Sequence, residues 1–305
     1  MNTRQTGIVV ATRGKTFDVL LADRQRLRCE LRKKVKYASD NTTPVTVGDD
    51  VIVTPVDETT GVIDERKERR TAFFRPNKRR DSVKQVLAAN LDQLAIVASV
   101  ISPSLKTGLI DRFLIAAELG NLRPLIIINK IDLGEDEDLA EKIDAYRKLD
   151  CGIVAVSAKT GEGMAELETH LRDHRSIFVG HSGVGKSTLL NFLIPGLFIK
   201  TQDVSAYSNR GTHATTAIEL YELPGGGFGV DSPGLKVLGL WEVNREVLPD
   251  YYSDFRPFAG QCRFQPCSHT HEPGCAVKGA VQSGQIARFR YDNYVLIGST
   301  LDDDF

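Results

Sequence analysis

The sequence predicts an α/β fold: a P-loop domain built on a parallel sheet, with an N-terminal β-barrel of the OB type and a C-terminal zinc-binding, mainly helical domain. Three observations predict it. Apolar runs alternate with helical periodicity through the middle of the chain, as βα units of a parallel sheet require. Within that stretch, Ile177-Phe178-Val179 leads through a glycine-rich turn directly into Leu189-Leu190-Asn191-Phe192-Leu193. Before it lie short β-branched runs, and after it three of the five cysteines crowd into residues 262–275. The expected boundaries are 1–70 for the barrel, 71–245 for the P-loop domain and 246–305 for the zinc-binding segment with its terminal helix.

The barrel strands are expected at Gly7–Ala11, Thr16–Leu21, Leu27–Leu31 and Asp50–Thr54, separated by turn residues such as Arg13-Gly14-Lys15 and Gly48-Asp49. Barrels of this kind bind oligonucleotides on one face. Residues 1–80 carry a net charge of +7, against −5 for 81–245 and −3 for 246–305, although the whole chain is −1. Arg24, Arg26, Arg28, Arg32, Lys33, Lys34 and Lys36 crowd one hairpin and its exit, an electrostatic footprint for phosphates. A polar, charged linker interrupted by proline is expected from Asp64 to Lys84.

The α/β part is expected to begin with a buried strand at Leu94–Val100, a helix through Ile110, Leu114 and Ala117, and a second strand at Leu125–Ile128. A helix from Asp138 to Leu149 then leads to a third strand at Ile153–Val156. No apolar run approaches the ~18 residues of a membrane span, and Met1–Gln5 leads into no signal-peptide core, so a cytoplasmic protein is expected. An odd number of clustered cysteines suits a metal site in a reducing compartment better than a disulfide framework.

The chemistry sits at the ends of these strands. Gly180-His181-Ser182-Gly183-Val184-Gly185-Lys186-Ser187-Thr188 fits the P-loop pattern. Its glycines let successive N–H groups face a phosphate, Lys186 can reach the β- and γ-phosphates, and the Ser187 hydroxyl can ligate Mg²⁺. Asn129-Lys130-Ile131-Asp132 follows the second strand and Ser157-Ala158-Lys159 the third, where open α/β sheets bind ligands. A carboxylate at Asp132 can accept the paired N1–H and N2–H₂ donors of guanine, which adenine lacks. Farther on, strands at Thr216–Glu222 and Gly227–Val230 precede Asp231-Ser232-Pro233-Gly234, where Asp231 is expected to hold Mg²⁺ through water and the Gly234 N–H to meet the γ-phosphate.

These motifs resemble those of translation-factor-type GTPases. Asn129, Lys130 and Asp132 match the base-reading motif, with Lys130 along the base, and Ser157, Ala158 and Lys159 match the second base loop. Their order is rotated, because the chain meets the base-reading motif before its P-loop, and a circular permutation accounts for it. Asn209 to Thr216 occupies the switch I position, with Thr215 expected on Mg²⁺ and Thr216 its close competitor. The residue after Asp-x-x-Gly is Leu235, where many GTPases carry a glutamine that orients water. His213 is the expected replacement.

Cys262, Cys267, His269 and Cys275 can close a tetrahedral, structural Zn²⁺ site, with His271 an alternative fourth ligand. A helix from Gln285 to Leu296 and a frayed tail at Asp302–Asp304 complete the chain. Barrel, permuted GTPase domain and Cys-Cys-His-Cys segment together resemble the bacterial family of ribosome small subunit-dependent GTPases. That resemblance implies GTP/GDP with Mg²⁺ as ligands and hydrolysis stimulated by the small subunit late in its maturation. It also implies contact of barrel and zinc segment with rRNA, and a monomer with no membrane partner. The chain departs from the family's usual switch I pattern, Gly-Arg/Lys-His-Thr-Thr, at Thr212 and Ala214. Two other readings stay open: an RNA-binding assembly module that binds GTP but turns it over poorly, and a P-loop kinase or ATPase acting on a small molecule. Permutation also suggests that both flanking segments sense the γ-phosphate, the zinc end most directly.

Overall fold

The computed structural model describes residues 3–36, 43–74, 85–134, 138–149, 151–199, 218–231, 240 and 243–301. The N-terminal barrel is built from β1 (Gln5–Arg13), β2 (Thr16–Leu21), β3 (Arg26–Lys36), β4 (Asp50–Pro55) and β5 (Thr60–Arg66). The strand order β1-β2-β3-β5-β4 closes through an additional β1–β4 pairing, and β3–β5 is the parallel pair. Alternation fills the interior with Val9, Val19, Leu27, Val51, Val53 and Ile63, all at most 1% exposed.

The charged stretch expected as linker from Asp64 is partly strand. β5 runs through Arg66, and β6 (Ala72–Phe74) pairs with β7 (Val86–Ala89) in a hairpin of its own. Some of the charges there are not solvated, while Lys67, Glu68 and Arg70 are exposed. Arg69 Nε and NH2 each donate to the fully buried Asp49 carboxylate at 2.7 Å, which also accepts from the Thr46 N–H. Asp64 is buried with Arg32 and Thr54 as partners. Burying such charges is tolerable only with paired geometry of this kind.

The α/β layer follows, with β8 (Gln93–Ser99), α1 (Thr107–Leu119), β9 (Arg123–Asn129), α2 (Leu139–Arg147), β10 (Gly152–Ala155), α3 (Met164–Leu171), β11 (Arg175–Val179) and α4 (Lys186–Leu193). An antiparallel pair, β12 (Glu219–Glu222) and β13 (Phe228–Asp231), completes the sheet. The order is β10-β9-β8-β11-β13-β12, with every neighbouring pair parallel except β13–β12. β8 is buried at all seven positions, as a central strand covered on both faces must be. Ile96, Ile126, Ile128, Ile177 and Val179 face α1, while Ala95, Val97, Leu125, Ile127 and Phe178 face α3 and α4.

After β8 the chain builds outward through β9 and β10, and α3 then carries it back to β11 on the other side of β8. The crevice at the β8/β11 boundary is the topological switch point, where ligands bind in such sheets. β1 pairs with β12 through Ala11 and Glu219, so the barrel and the α/β layer form one eleven-stranded sheet.

The C-terminal unit contains α5 (Ala276–Gln282), α6 (Arg288–Gly298) and two short 3-10 turns, Leu248–Tyr251 and Arg256–Phe258. Its core includes Ile115 of α1 beside Tyr252, Phe255, Tyr294 and Ile297. A buried polar network crosses the same contact. Arg290 bonds to Asp111 at 2.5 Å and to Asp254 at 2.9 Å, while Asn293 and Tyr146 also donate to Asp111. Burial pushes the Asp111 carboxyl up; burial also opposes the Arg290 charge, yet Asp111 and Asp254 raise its pKa above the ordinary value. No helix among the described residues is long and apolar enough to cross a membrane.

Candidate nucleotide and metal sites

The P-loop connects β11 to α4 at the switch point. Gly180 has φ +146°, and a Cβ there would lie 2.1 Å from the Val97 carbonyl oxygen of β8. Gly185 has φ +98°, and its Cβ would lie 2.3 Å from Asn129 Nδ2. Both positions therefore need glycine for handedness and for space. Lys186 Nζ donates to the Gly180 and His181 carbonyls at 2.9 and 3.1 Å, across the loop it is expected to serve. Burial lowers the Lys186 pKa, against the pull of the Asp231 carboxylate at the end of β13. Ser187 is the second residue of α4, beside that carboxylate end of the sheet.

Asn129 ends β9 and is 2% exposed. Its Nδ2 donates to the Val184 carbonyl at 2.9 Å, and its Oδ1 accepts from the Ala158 N–H at 3.2 Å. One amide thus ties the P-loop to the loop after β10, across the end of β8. Asp132 accepts from the Ser157 hydroxyl at 2.7 Å, with Lys159 Nζ 3.8 Å from its other oxygen. Lys130 adopts φ +66° and donates to the Ser102 carbonyl. The Ser102 contact carries no sequence motif, and only the neighbouring ends of β8 and β9 bring it about. The structure therefore gathers Asn129, Asp132, Ser157, Ala158, Lys159 and Gly180–Thr188 around one crevice, with Asp231 close enough to act on Lys186. His213, Thr215, Thr216 and Gly234, with Thr212 and Ala214, lie outside the described residues.

Cys262, Cys267, His269 and Cys275 bring their ligand atoms within 4.8 Å of one another. Cys262 Sγ lies 3.8 Å from Cys275 Sγ, and His269 Nδ1 lies 3.5 and 3.3 Å from those two sulfurs. A tetrahedral Zn²⁺ with bonds of about 2.3 Å to sulfur and about 2.0 Å to nitrogen spaces its ligands about 3.5–3.8 Å apart, so the donor set fits zinc. His271, the alternative ligand, is instead exposed and sits 3.8 Å from Glu272. Around the cluster, the Ala276 N–H donates to Cys262 Sγ, Tyr291 OH donates to the His269 carbonyl and Tyr294 OH to the Ser268 carbonyl. The Tyr-x-x-Tyr spacing on α6, one helical turn, was the available sequence signal for this support.

The basic hairpin is more engaged than its composition suggests. Arg28 pairs with Asp18 and Arg32 with Asp64, both within the barrel, while Arg24 and Arg26 reach Glu222 of β12.

The family model described as RsgA GTPase matches residues 66–241. The chain belongs to the RsgA GTPase family. It is 40% identical over 311 residues to the small ribosomal subunit biogenesis GTPase RsgA of Chlorobaculum parvum, an alignment covering 99% of this chain and 100% of that protein. The Bacteroides fragilis protein of the same name is 36% identical, covering 97% of this chain and 96% of its own length. Among solved structures, YjeQ from Thermotoga maritima superposes with a TM-score of 0.78 at 36% identity, covering 97% of this chain and 98% of its own. YloQ, described as a circularly permuted GTPase, gives 0.74 at 30% identity, covering 97% and 94%. The rotated motif order is thus that of a circularly permuted GTPase, and family membership carries guanine-nucleotide binding and GTP hydrolysis with it.

Proposed function

We propose that this protein hydrolyses GTP on the small ribosomal subunit and acts late in the maturation of that subunit, as a cytoplasmic monomer without membrane attachment. The observation that carries the reading is the Asn129 bridge, which joins the phosphate loop and the base-reading loops into one crevice. Support for the partner comes from relatives aligned over almost the whole chain and named for small-subunit biogenesis.

In this reading Asp132 accepts the N1–H and N2–H₂ of guanine, Lys130 lies along the base, and Ser157, Ala158 and Lys159 close the base pocket. Gly180 to Thr188 cradle the phosphates, and Lys186 exchanges its two carbonyl partners for phosphate oxygens. Ser187 and Thr215, with Thr216 the competitor, would hold Mg²⁺ directly, and Asp231 would hold it through water. The ion supplies positive charge against the charge that develops on the phosphates. The Gly234 N–H meets the γ-phosphate, and His213 orients the attacking water that Leu235 cannot bind. One Zn²⁺, held by Cys262, Cys267, His269 and Cys275, is structural, since no ligand position is left for water. The barrel and the zinc segment contact rRNA.

The test is GTP turnover measured alone and with purified small subunits, large subunits or free RNA. A rate increase confined to small subunits is expected, and His213→Ala should abolish it while GDP affinity stays at the wild-type value. Equal rates with and without small subunits would overturn the proposal.

A further inference from the structure

We propose that Arg24 and Arg26 of the barrel latch strand β12 through Glu222, that this latch restrains the Asp231 end of the hydrolytic site below its full activity, and that RNA phosphates release it by taking over the arginines. The inference rests on the proposed reading of the barrel as RNA-facing.

The geometry begins with register. Ala11 of β1 pairs with Glu219 of β12, Glu219 pairs with Asp231 of β13, and Asp231 pairs with Phe178 of β11, two residues before the P-loop. One row of backbone partners therefore runs from the barrel through Asp231 to the phosphate loop. The β1–β12 joint is a single bridge, and side chains supply the rest of the hold: Leu220 is buried in one core with Val10 and Leu20, and ion pairs flank it. At one end of β12, Arg13 NH2 lies 3.8 Å from Glu219, and at the other Arg24 NH1 lies 2.5 Å and Arg26 NH2 3.9 Å from Glu222. These are barrel cations on carboxylates of the hairpin that links the switch I region to Asp231. Tyr221 stands between the two carboxylates in sequence, and burial first, then Glu219 and Asp231, push its pKa up against the pull of Arg13.

Exposure makes the latch exchangeable. The Arg24 side chain is 79% exposed and Glu222 33%, so solvent screens their attraction and the pair is a weak one. A phosphate backbone offers the same guanidinium groups bidentate partners, each a phosphodiester with one negative charge, with counterion release in addition. Arg24 and Arg26 belong to the hairpin whose sequence marks it for phosphates, so intramolecular and RNA contacts compete for the same cations. Binding of RNA then frees β12, and the rigid register passes the change to Asp231.

The test compares the full-length wild type with Glu222→Gln, Arg24→Gln and the swap Arg24→Glu with Glu222→Arg. Each is assayed for unstimulated kcat and KM with GTP, and for affinity to a mixed-sequence single-stranded oligoribonucleotide at low salt. Both single variants are expected to raise kcat about two- to fivefold with KM unchanged, the range set by a weak exposed pair, and the swap is expected to restore it. RNA affinity should move in opposite directions, about two- to fivefold tighter for Glu222→Gln and weaker for Arg24→Gln. Partial unfolding would weaken RNA binding in both. An unchanged kcat in the single variants, or a Glu222→Gln chain that binds RNA no more tightly than wild type, would overturn the latch. If wild-type turnover ignores small subunits, the proposed function fails, whereas the oligoribonucleotide arm still decides the latch.

Discussion

Asn129 does more than its place in the base-reading motif implies. Its amide holds Val184 and Ala158 together; the bond to Val184 is buried and the one to Ala158 half-buried, so truncation strands the Val184 carbonyl and cuts the tie to Ala158. Removing one partner of a buried bond costs about 1–3 kcal/mol for each group left unpaired, so Asn129→Ala should weaken GDP and GTP binding at least about tenfold. Gly185→Ala should act in the same direction, because the added methyl meets that same Nδ2 at 2.3 Å. Titration with a fluorescent guanine nucleotide checks both, and wild-type affinity in Asn129→Ala would show that the two loops hold their places unaided. The residue types at this site were legible in the sequence, since each motif has a fixed spacing. The bridge was not, because β8 stands between β9 and β11 in the sheet and the contact exists only across its end.

Among the elements, α6 ties the C-terminal unit to the α/β layer. Arg290 neutralises Asp111 in a contact where both side chains are at most 4% exposed. Replacing it by alanine leaves a buried carboxylate without its cation, which costs about 3–5 kcal/mol, whereas Arg290→Lys keeps the charge and costs less. Urea unfolding of Arg290→Ala beside Arg290→Lys should show that difference, and equal losses would mean that packing rather than charge is at stake. Sequence periodicity located this helix to within a few residues, with Arg288–Gly298 observed where Gln285–Leu296 was expected. It misread the stretch after Asp64, because a run of charged residues reads as solvated surface. Arg66 and Arg69 are instead inside, and no local pattern reveals that Asp49 waits for Arg69 twenty residues away.

For the molecule as a whole, three units share their cores, so damage in one should be felt in the others. The Cys262, Cys267, His269 and Cys275 cluster, whose spacing fits zinc, sits in a segment with few helices of its own, and α6 packs that segment against α1. Metal analysis is expected to find about one zinc per chain, and chelation under mild denaturation or Cys262→Ser to lower the thermal midpoint by roughly 5 °C or more. Loss of zinc with an unchanged midpoint would show that the ion is not structural. The barrel is attached directly to the sheet that carries the nucleotide site. It joins the sheet at β12, one strand from Asp231, so the described residues favour the barrel, rather than the zinc end, as the segment nearest the switch hairpin.

By itself the sequence determined the fold class, the permuted motif order, the P-loop pattern and the three cysteines of the C-terminal cluster. All of these are encoded locally, in spacing, periodicity and residue chemistry. The tertiary structure decided what depends on strands far apart in the chain. It set His269 rather than His271 among the three cysteines, closed the barrel through β1 and β4, and buried Asp64, Arg66 and Arg69 of the charged stretch. It also set four barrel arginines against carboxylates, Arg24 and Arg26 both against Glu222 on the strand beside Asp231. Those outcomes follow from which backbone edges and charges meet in space, and a one-dimensional pattern carries no record of that meeting.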